Sequence, residues 1–304
     1  MAKRALTQTG PEHIKHKKLR TALISITVAI SLIIIKLVFG IITNSVSILA
    51  SAADSFLDLT ASSVNYFSIN KSEKPPDEDH RFGHGKAEGL AGLFQCFVIG
   101  VSALYLIYLS AEKIVYGGTL RELDIGIGVM VFTIVVSFTI ARYIKNVSKE
   151  TDSIALSADS LHYQVDVYTN IGVLLALLVV KYTGFTLADP IMSIIIALMI
   201  LWSAKDIVIE SVNVLMDKEL PGEYVSQIEH IIVNHSDEVR SFHKLRTRHA
   251  GSIKFIEFHV VLNHKLTFVE SHELAEEIIK EIEAVIPNSE VTVHVDPDLH
   301  PDYS

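Results

Sequence analysis

The chain has 304 residues, 49% of them hydrophobic, a mean hydropathy of +0.37 and a formal net charge of −9. That positive mean hydropathy, with repeated apolar runs near or above the roughly 20 residues that cross a bilayer, excludes an ordinary soluble globular protein, and the acidic balance argues against nucleic acid as a partner. Cys96 is the only cysteine, which excludes a disulfide framework and thiol-based metal handling.

A polar arm over residues 1–20 carries Lys3, Arg4, Lys15, Lys17, Lys18 and Arg20. Six apolar segments follow, and we expect membrane helices over 21–42, 45–69, 88–115, 125–144, 153–182 and 190–215. Each is near or above the roughly 20 residues that cross about 30 Å of hydrocarbon. The first is too long for the apolar core of a signal peptide and ends without a small-residue cleavage site, so no cleavable leader is expected. Lys36 lies about six residues from the outer end of its helix, close enough for its ammonium to snorkel to the interface. Basic residues gather in the arm, in the second connection (Lys71, Lys74, Arg81, Lys86) and in the fourth (Arg142, Lys145, Lys149), while the opposite connections are poorer. The positive-inside rule then places both termini in the cytoplasm of a multi-pass protein of the plasma or bacterial inner membrane.

Two of the apolar segments carry metal-ligand side chains four residues apart: Asp54 with Asp58, and His162 with Asp166. That spacing puts each pair on one helix face, so two helices could close a tetrahedral oxygen and nitrogen site around a divalent cation. Asp54 and His162 each lie about nine residues inside their helices from opposite ends, so at 1.5 Å per residue both pairs sit roughly 14 Å deep, near the midplane. Carboxylates at that depth cost at least a few kcal/mol each and mark a functional site. Three of them unneutralised would repel one another, whereas a dication offsets all but one negative charge. Asp159 shares the face of His162 and Asp166 and reads as an entrance or supporting group.

The second connection reads Asp77-Glu78-Asp79-His80-Arg81-Phe82-Gly83-His84-Gly85-Lys86, with two histidines and several carboxylates around turn-permitting glycines. It suits a small surface metal site. After Leu215 the composition changes, and a linker around Pro221 and Gly222 leads into a soluble domain. From Glu219 onward there are seven Lys and Arg against sixteen Asp and Glu, so the whole excess of acid lies in this tail. Periodicity predicts a helix over 223–234, strands over 239–248 and 253–262, a helix over 268–286 and a strand over 290–295. Thr267 and Glu270 form a capping box, and Leu274, Ile278, Ile282 and Val285 an apolar stripe. In the last strand Val291, Val293 and Val295 face one way, His294 and Asp296 the other. His243 and His259 fall on the two earlier strands and His272 opens the long helix, so the five together suggest one or two metal sites.

These segments carry a resemblance. SILASAADSFLDL, DEDHRFGHGKAEGL, SADSLHYQVDV, FHKLRTR, FIEFHVVL and VTVHVDP resemble the cation diffusion facilitators, most closely the bacterial ferrous-iron and zinc efflux pump type, over nearly the full length. The resemblance implies an α-helical membrane protein with six transmembrane helices (21–216) and a C-terminal cytoplasmic α+β domain (217–304) of αββαβ, metallochaperone or ferredoxin-like form. It implies that Asp54, Asp58, His162 and Asp166 form the transport site and that Asp77, His80 and His84 form a peripheral loop site. His243, His259, His272, His294 and Asp296 would form a binuclear cytoplasmic site that helps hold a homodimer. Lys86 and Asp217 match positions of an intersubunit charge interlock.

The function expected is a transporter, not an enzyme. It would export Zn²⁺ first, and Cd²⁺ or Fe²⁺ next, from the cytoplasm by proton antiport, with Zn²⁺ also resident in the soluble domain. The alternatives are a membrane metal sensor and a metal-gated channel without proton coupling.

Overall fold

The structure, a computed structural model, describes residues 11–42, 46–116, 124–185 and 187–299. Six long helices come first: α1 (Pro11–Ile42), α2 (Val46–Ser72), α3 (Ala87–Tyr116), α4 (Asp124–Thr151), α5 (Ile154–Thr183) and α6 (Ala188–Leu215). They are followed by α7 (Gly222–Asn234), β1 (Val239–Ala250), β2 (Ile253–Leu262), α8 (Phe268–Val285) and β3 (Ser289–Pro297). The chain forms two compact units, Met1–Val212 and Asn213–Ser304.

All six apolar segments are helical, and two outrun their predicted bounds. α1 starts at Pro11 and α4 continues to Thr151, because hydropathy marks only the stretch in hydrocarbon whereas backbone hydrogen bonding carries a helix on through charged turns. Among the described residues, three helices are apolar and long enough to cross a membrane by length and composition, over His13–Phe39, Ala87–Tyr116 and Ala188–Leu215. α2 and α5 instead interleave polar residues such as Ser62, Asn65, Asp159 and Gln164 with their apolar ones.

α1 packs on α2 and α4 on α5, with α3 against both α2 and α5. Small residues make this close approach possible: Ala22, Ala91, Ala141 and Ala155 lie in the buried cluster with Ile69, Ile140, Ile144 and Leu156. Gly92 is a site of closest approach. A Cβ there would lie 2.5 Å from Ser211 Oγ on α6 and 2.8 Å from Ile154 Cγ2 on α5.

In the second unit, β2 is the central strand, antiparallel to β1 and parallel to β3. Period two sends Ile256, Phe258, Val260 and Leu262 to one face, where they pack with Ile228 and Ile232 of α7 and Ile278 and Ile282 of α8. Each such side chain taken from water stabilises the unit by about 1.5–3 kcal/mol. Val291, Val293 and Val295 pack against the same cluster, as expected. The capping box also forms: Thr267 Oγ1 accepts from the Glu270 amide at 3.3 Å, and Glu270 Oε2 accepts from the Thr267 amide at 2.7 Å. The apolar stripe ends differently from expectation. Val285 is exposed and Ile286 is buried in its place, because the chain leaves the helix at Ile286 with φ −109° and ψ 99° and turns that side chain inward.

Candidate metal centres

Each of the two membrane-unit helices named above delivers a ligand to one point. Asp58 of α2 and His162 and Asp166 of α5 offer ligand atoms that all lie within 4.8 Å of one another, and His162 Nε2 stands 2.9 Å from Asp58 Oδ1. His162 is buried, while both carboxylates are half-buried. Asp54 lies on α2 one turn before Asp58, but its side chain is outside the described residues. Asp159 is buried beside this group without joining it. It accepts a hydrogen bond from Ser62 Oγ at 3.1 Å, and Ser62 in turn contacts Ser25 at 3.3 Å, while the Tyr163 hydroxyl donates to the Ser25 carbonyl at 3.0 Å. A polar seam across α1, α2 and α5 therefore holds the helix faces that present the ligands.

The second connection folds around Asp77. Its Oδ1 accepts from the backbone amides of His80 at 2.7 Å and Asp79 at 3.1 Å, while Oδ2 lies 3.1 Å from His84 Nε2. The two imidazole rings stand 4.6 Å apart, and Gly83 adopts φ +75°, a conformation that suits glycine. The His80 backbone hydrogen bond, with the two imidazoles nearby, holds the Asp77 carboxyl below the ordinary carboxylate range. Asp77, His80 and His84 thus offer ligand atoms within 4.8 Å of one another.

On the open face of the sheet the strand register brings His243, His259 and His294 into one row, since His243 pairs with His259 and His259 with His294. A register shift between His243 and Arg246 turns Leu245 toward the core and returns Arg246 to the open face opposite Glu257. Asp296 lies 2.9 Å from His259, 3.4 Å from His243 and 3.3 Å from His294. Burial raises the Asp296 carboxyl, but the His259 hydrogen bond and the three imidazoles outweigh it and leave the group below its ordinary value. His243, His259 and Asp296 meet within 4.8 Å. His272 is not in that cluster. It lines, with Asp296 and His264, a cleft of 390 Å³ between α8 and the end of β3.

The cation efflux transmembrane domain model matches residues 22–216, and the cation efflux protein cytoplasmic domain model matches 220–298. The chain belongs to the cation efflux, or cation diffusion facilitator, family. Among its relatives, the cation-efflux pump FieF of Shewanella oneidensis is 36% identical over 273 residues, covering 90% of this chain and 92% of the relative. FieF of Cronobacter sakazakii is 37% identical over 278 residues, covering 91% and 92%. Two solved structures are similar over about a quarter of the chain: CzrB at 31% identity, over 26% of this chain and 98% of that one, TM-score 0.25, and the metal-bound C-terminal domain of the CzcD transporter from Thermotoga maritima at 28%, over 26% and 92%, TM-score 0.25. This cation efflux protein is therefore a transporter rather than an enzyme, with a helical membrane domain and a cytoplasmic α+β dimerisation domain.

Some residues around these centres were not legible as functional in the sequence. Lys18 reads as one of several basic residues of the arm, yet its side chain is fully buried, 3.1 Å from Glu73 and 2.9 Å from Glu88. Glu88 also accepts hydrogen bonds from Ser72 and Ser153, so one ionic cluster joins α1, α2, α3 and the start of α5. Its only signal is a glutamate opening an apolar helix. Lys36 departs from expectation. Its ammonium donates to Ser55 Oγ of α2 at 2.6 Å, a hydroxyl that the packing of α1 on α2 brings within its reach. Asp217 lies in the second unit, 3.4 Å from Arg248, and Lys86 in the first.

Proposed function

We propose that this cation efflux protein exports divalent transition-metal ions, Zn²⁺ foremost with Cd²⁺ and Fe²⁺ as lesser substrates, from the cytoplasm in exchange for protons. The convergence of Asp58, His162 and Asp166 inside the membrane unit supports this reading most directly. Asp54 is the fourth ligand we assign, one turn away on α2. One imidazole and three carboxylates make a compact oxygen and nitrogen set that suits four-coordinate Zn²⁺, whereas Fe²⁺ and Mn²⁺ favour more oxygen ligands. With the carboxylates ionised and His162 neutral, a bound dication leaves one negative charge.

In the proposed cycle the deprotonated site takes metal from the cytoplasm, the helices rearrange, and protons from outside compete for His162 and the carboxylates, releasing it. An imidazole suits this exchange because it ordinarily titrates near neutrality. The six helices all cross the bilayer in this reading, with both termini in the cytoplasm of the cell membrane, as the distribution of Lys and Arg requires. The protein works as a homodimer, with Lys86 and Asp217 at an intersubunit charge interlock. Asp77, His80 and His84 form a loop site, and His243, His259, His294, Asp296 and His272 the cytoplasmic one.

The test is metal flux into proteoliposomes holding a fluorescent zinc reporter, measured while the pH gradient is varied. Flux should follow the gradient and carry protons in return, and His162→Ala or Asp58→Ala should abolish it. Metal binding without flux would make the protein a sensor, and flux indifferent to protons would make it a channel.

A further inference from the structure

The proposed site has one positive charge too few when loaded, and an ammonium is hydrogen-bonded to the residue that follows Asp54 in the chain. Lys36 of α1 is half-buried and places Nζ 2.6 Å from Ser55 Oγ, a side chain that is itself 3% exposed. Ser55 follows Asp54 directly and precedes Asp58 by three positions, so it neighbours Asp58 on the helix surface, with about 5–6 Å between such Cβ atoms. A lysine free to reach the headgroups would lower its own energy by doing so. This one is hydrogen-bonded to α2, the helix that carries Asp54 and Asp58.

We propose that Lys36 is a resident counter-charge of the transport site, a positioning residue that sets metal affinity through the field it exerts on Asp54 and Asp58. This inference rests on the assignment of those carboxylates to transport. With Lys36 charged, three carboxylates and a dication sum to zero, so the loaded carrier crosses its transition without a net buried charge. The ammonium's repulsion also keeps a dication from being held too tightly to leave. Ser55 provides the tether that keeps the charge at this depth.

The experiment uses the full chain in proteoliposomes, with initial rates of Zn²⁺ flux measured over a range of Zn²⁺ and at several lumenal pH values. Lys36→Met removes the charge and should lower the KM for Zn²⁺ by about tenfold, since a like charge near the ion opposes its binding. The kcat should fall with it, because release slows, and release should require a more acidic lumen. Lys36→Arg keeps the charge and should behave as wild type. Ser55→Ala lets the ammonium withdraw and should shift KM in the same direction by a smaller factor, about two- to fivefold. Should Lys36→Met fail to assemble, Lys36→Gln and Ser55→Ala read the same quantity. A KM that is unchanged or raised in the charge-removing variants overturns the proposal. Asp58→Ala in matched vesicles separates the two levels: if it transports normally the site assignment itself fails, and if it is inactive while Lys36→Met keeps its KM, only the role of Lys36 fails.

Discussion

Replacing Lys18 by methionine keeps most of the side-chain volume and deletes a cation that Glu73 and Glu88 share. The lysine side chain is 0% exposed and that of Glu88 3%, at 2.9 Å, with Glu73 at 3.1 Å and 13%. Removing one partner of so buried a pair leaves a carboxylate without compensation, which costs about 3–5 kcal/mol. The hydrogen bonds from Ser72 and Ser153 to Glu88 persist and limit the loss. For a unit of this size each kcal/mol shifts Tm by about 2–4 °C, so the helical domain of Lys18→Met should melt roughly 6–20 °C lower. The assay is thermal unfolding of the purified full chain in detergent, followed by circular dichroism. Adding Glu88→Gln to Lys18→Met removes the stranded charge and should restore much of the loss, with a coupling energy of about 1–3 kcal/mol. A single variant that melts within about 2 °C of wild type, or a double variant that melts below the single, would refute the reasoning that this cluster acts as a paired, desolvated unit.

In the cytoplasmic domain, His259→Ala removes the imidazole that sits between His243 and His294 and touches Asp296, so equilibrium dialysis of the full chain should show Zn²⁺ affinity at that site falling at least about tenfold. Thr267→Ala should cost about 1 kcal/mol of α8 stability, read as faster amide hydrogen exchange in its first turn. The Thr267 backbone and side-chain hydrogen bonds hold the Glu270 carboxyl below its ordinary value. The contribution of Glu270 is therefore fully present above the unfolded value, near pH 4.3, and is lost as pH falls through the lower folded value. Protection in that turn, taken relative to intrinsic exchange at each pH, should fall on acidification below about pH 4 in wild type and much less in Glu270→Gln. Gly92→Val drives side-chain atoms into Ser211 and Ile154 and should destabilise the helical unit by about 1–3 kcal/mol, measured as a lower Tm in detergent.

Much of this protein is local in origin and hence readable along the chain. Hydropathy runs and the four-residue spacing of Asp58 with Asp54, and of Asp166 with His162, follow from helix geometry alone, as do the capping box of α8 and the alternation in β3. The αββαβ order of the tail was equally plain, because strands of period two and helices of period 3.6 differ over even short windows. What the sequence could not decide is which side chains meet across elements. The row His243, His259 and His294 exists only because β1 and β3 pair with β2 in one register, and a shift of one residue would have sent a histidine to the core face. His272 carries the same chemistry, yet tertiary placement leaves it outside the three-ligand cluster, lining a cleft that Asp296 also borders. The two lysines make the point most sharply. Lys18 reads as one basic residue of the arm and Lys36 as a snorkelling base, but one is sealed between two glutamates and the other bound to Ser55. A long flexible side chain goes to whichever partner the packing brings within reach, and only the folded helices determine that partner.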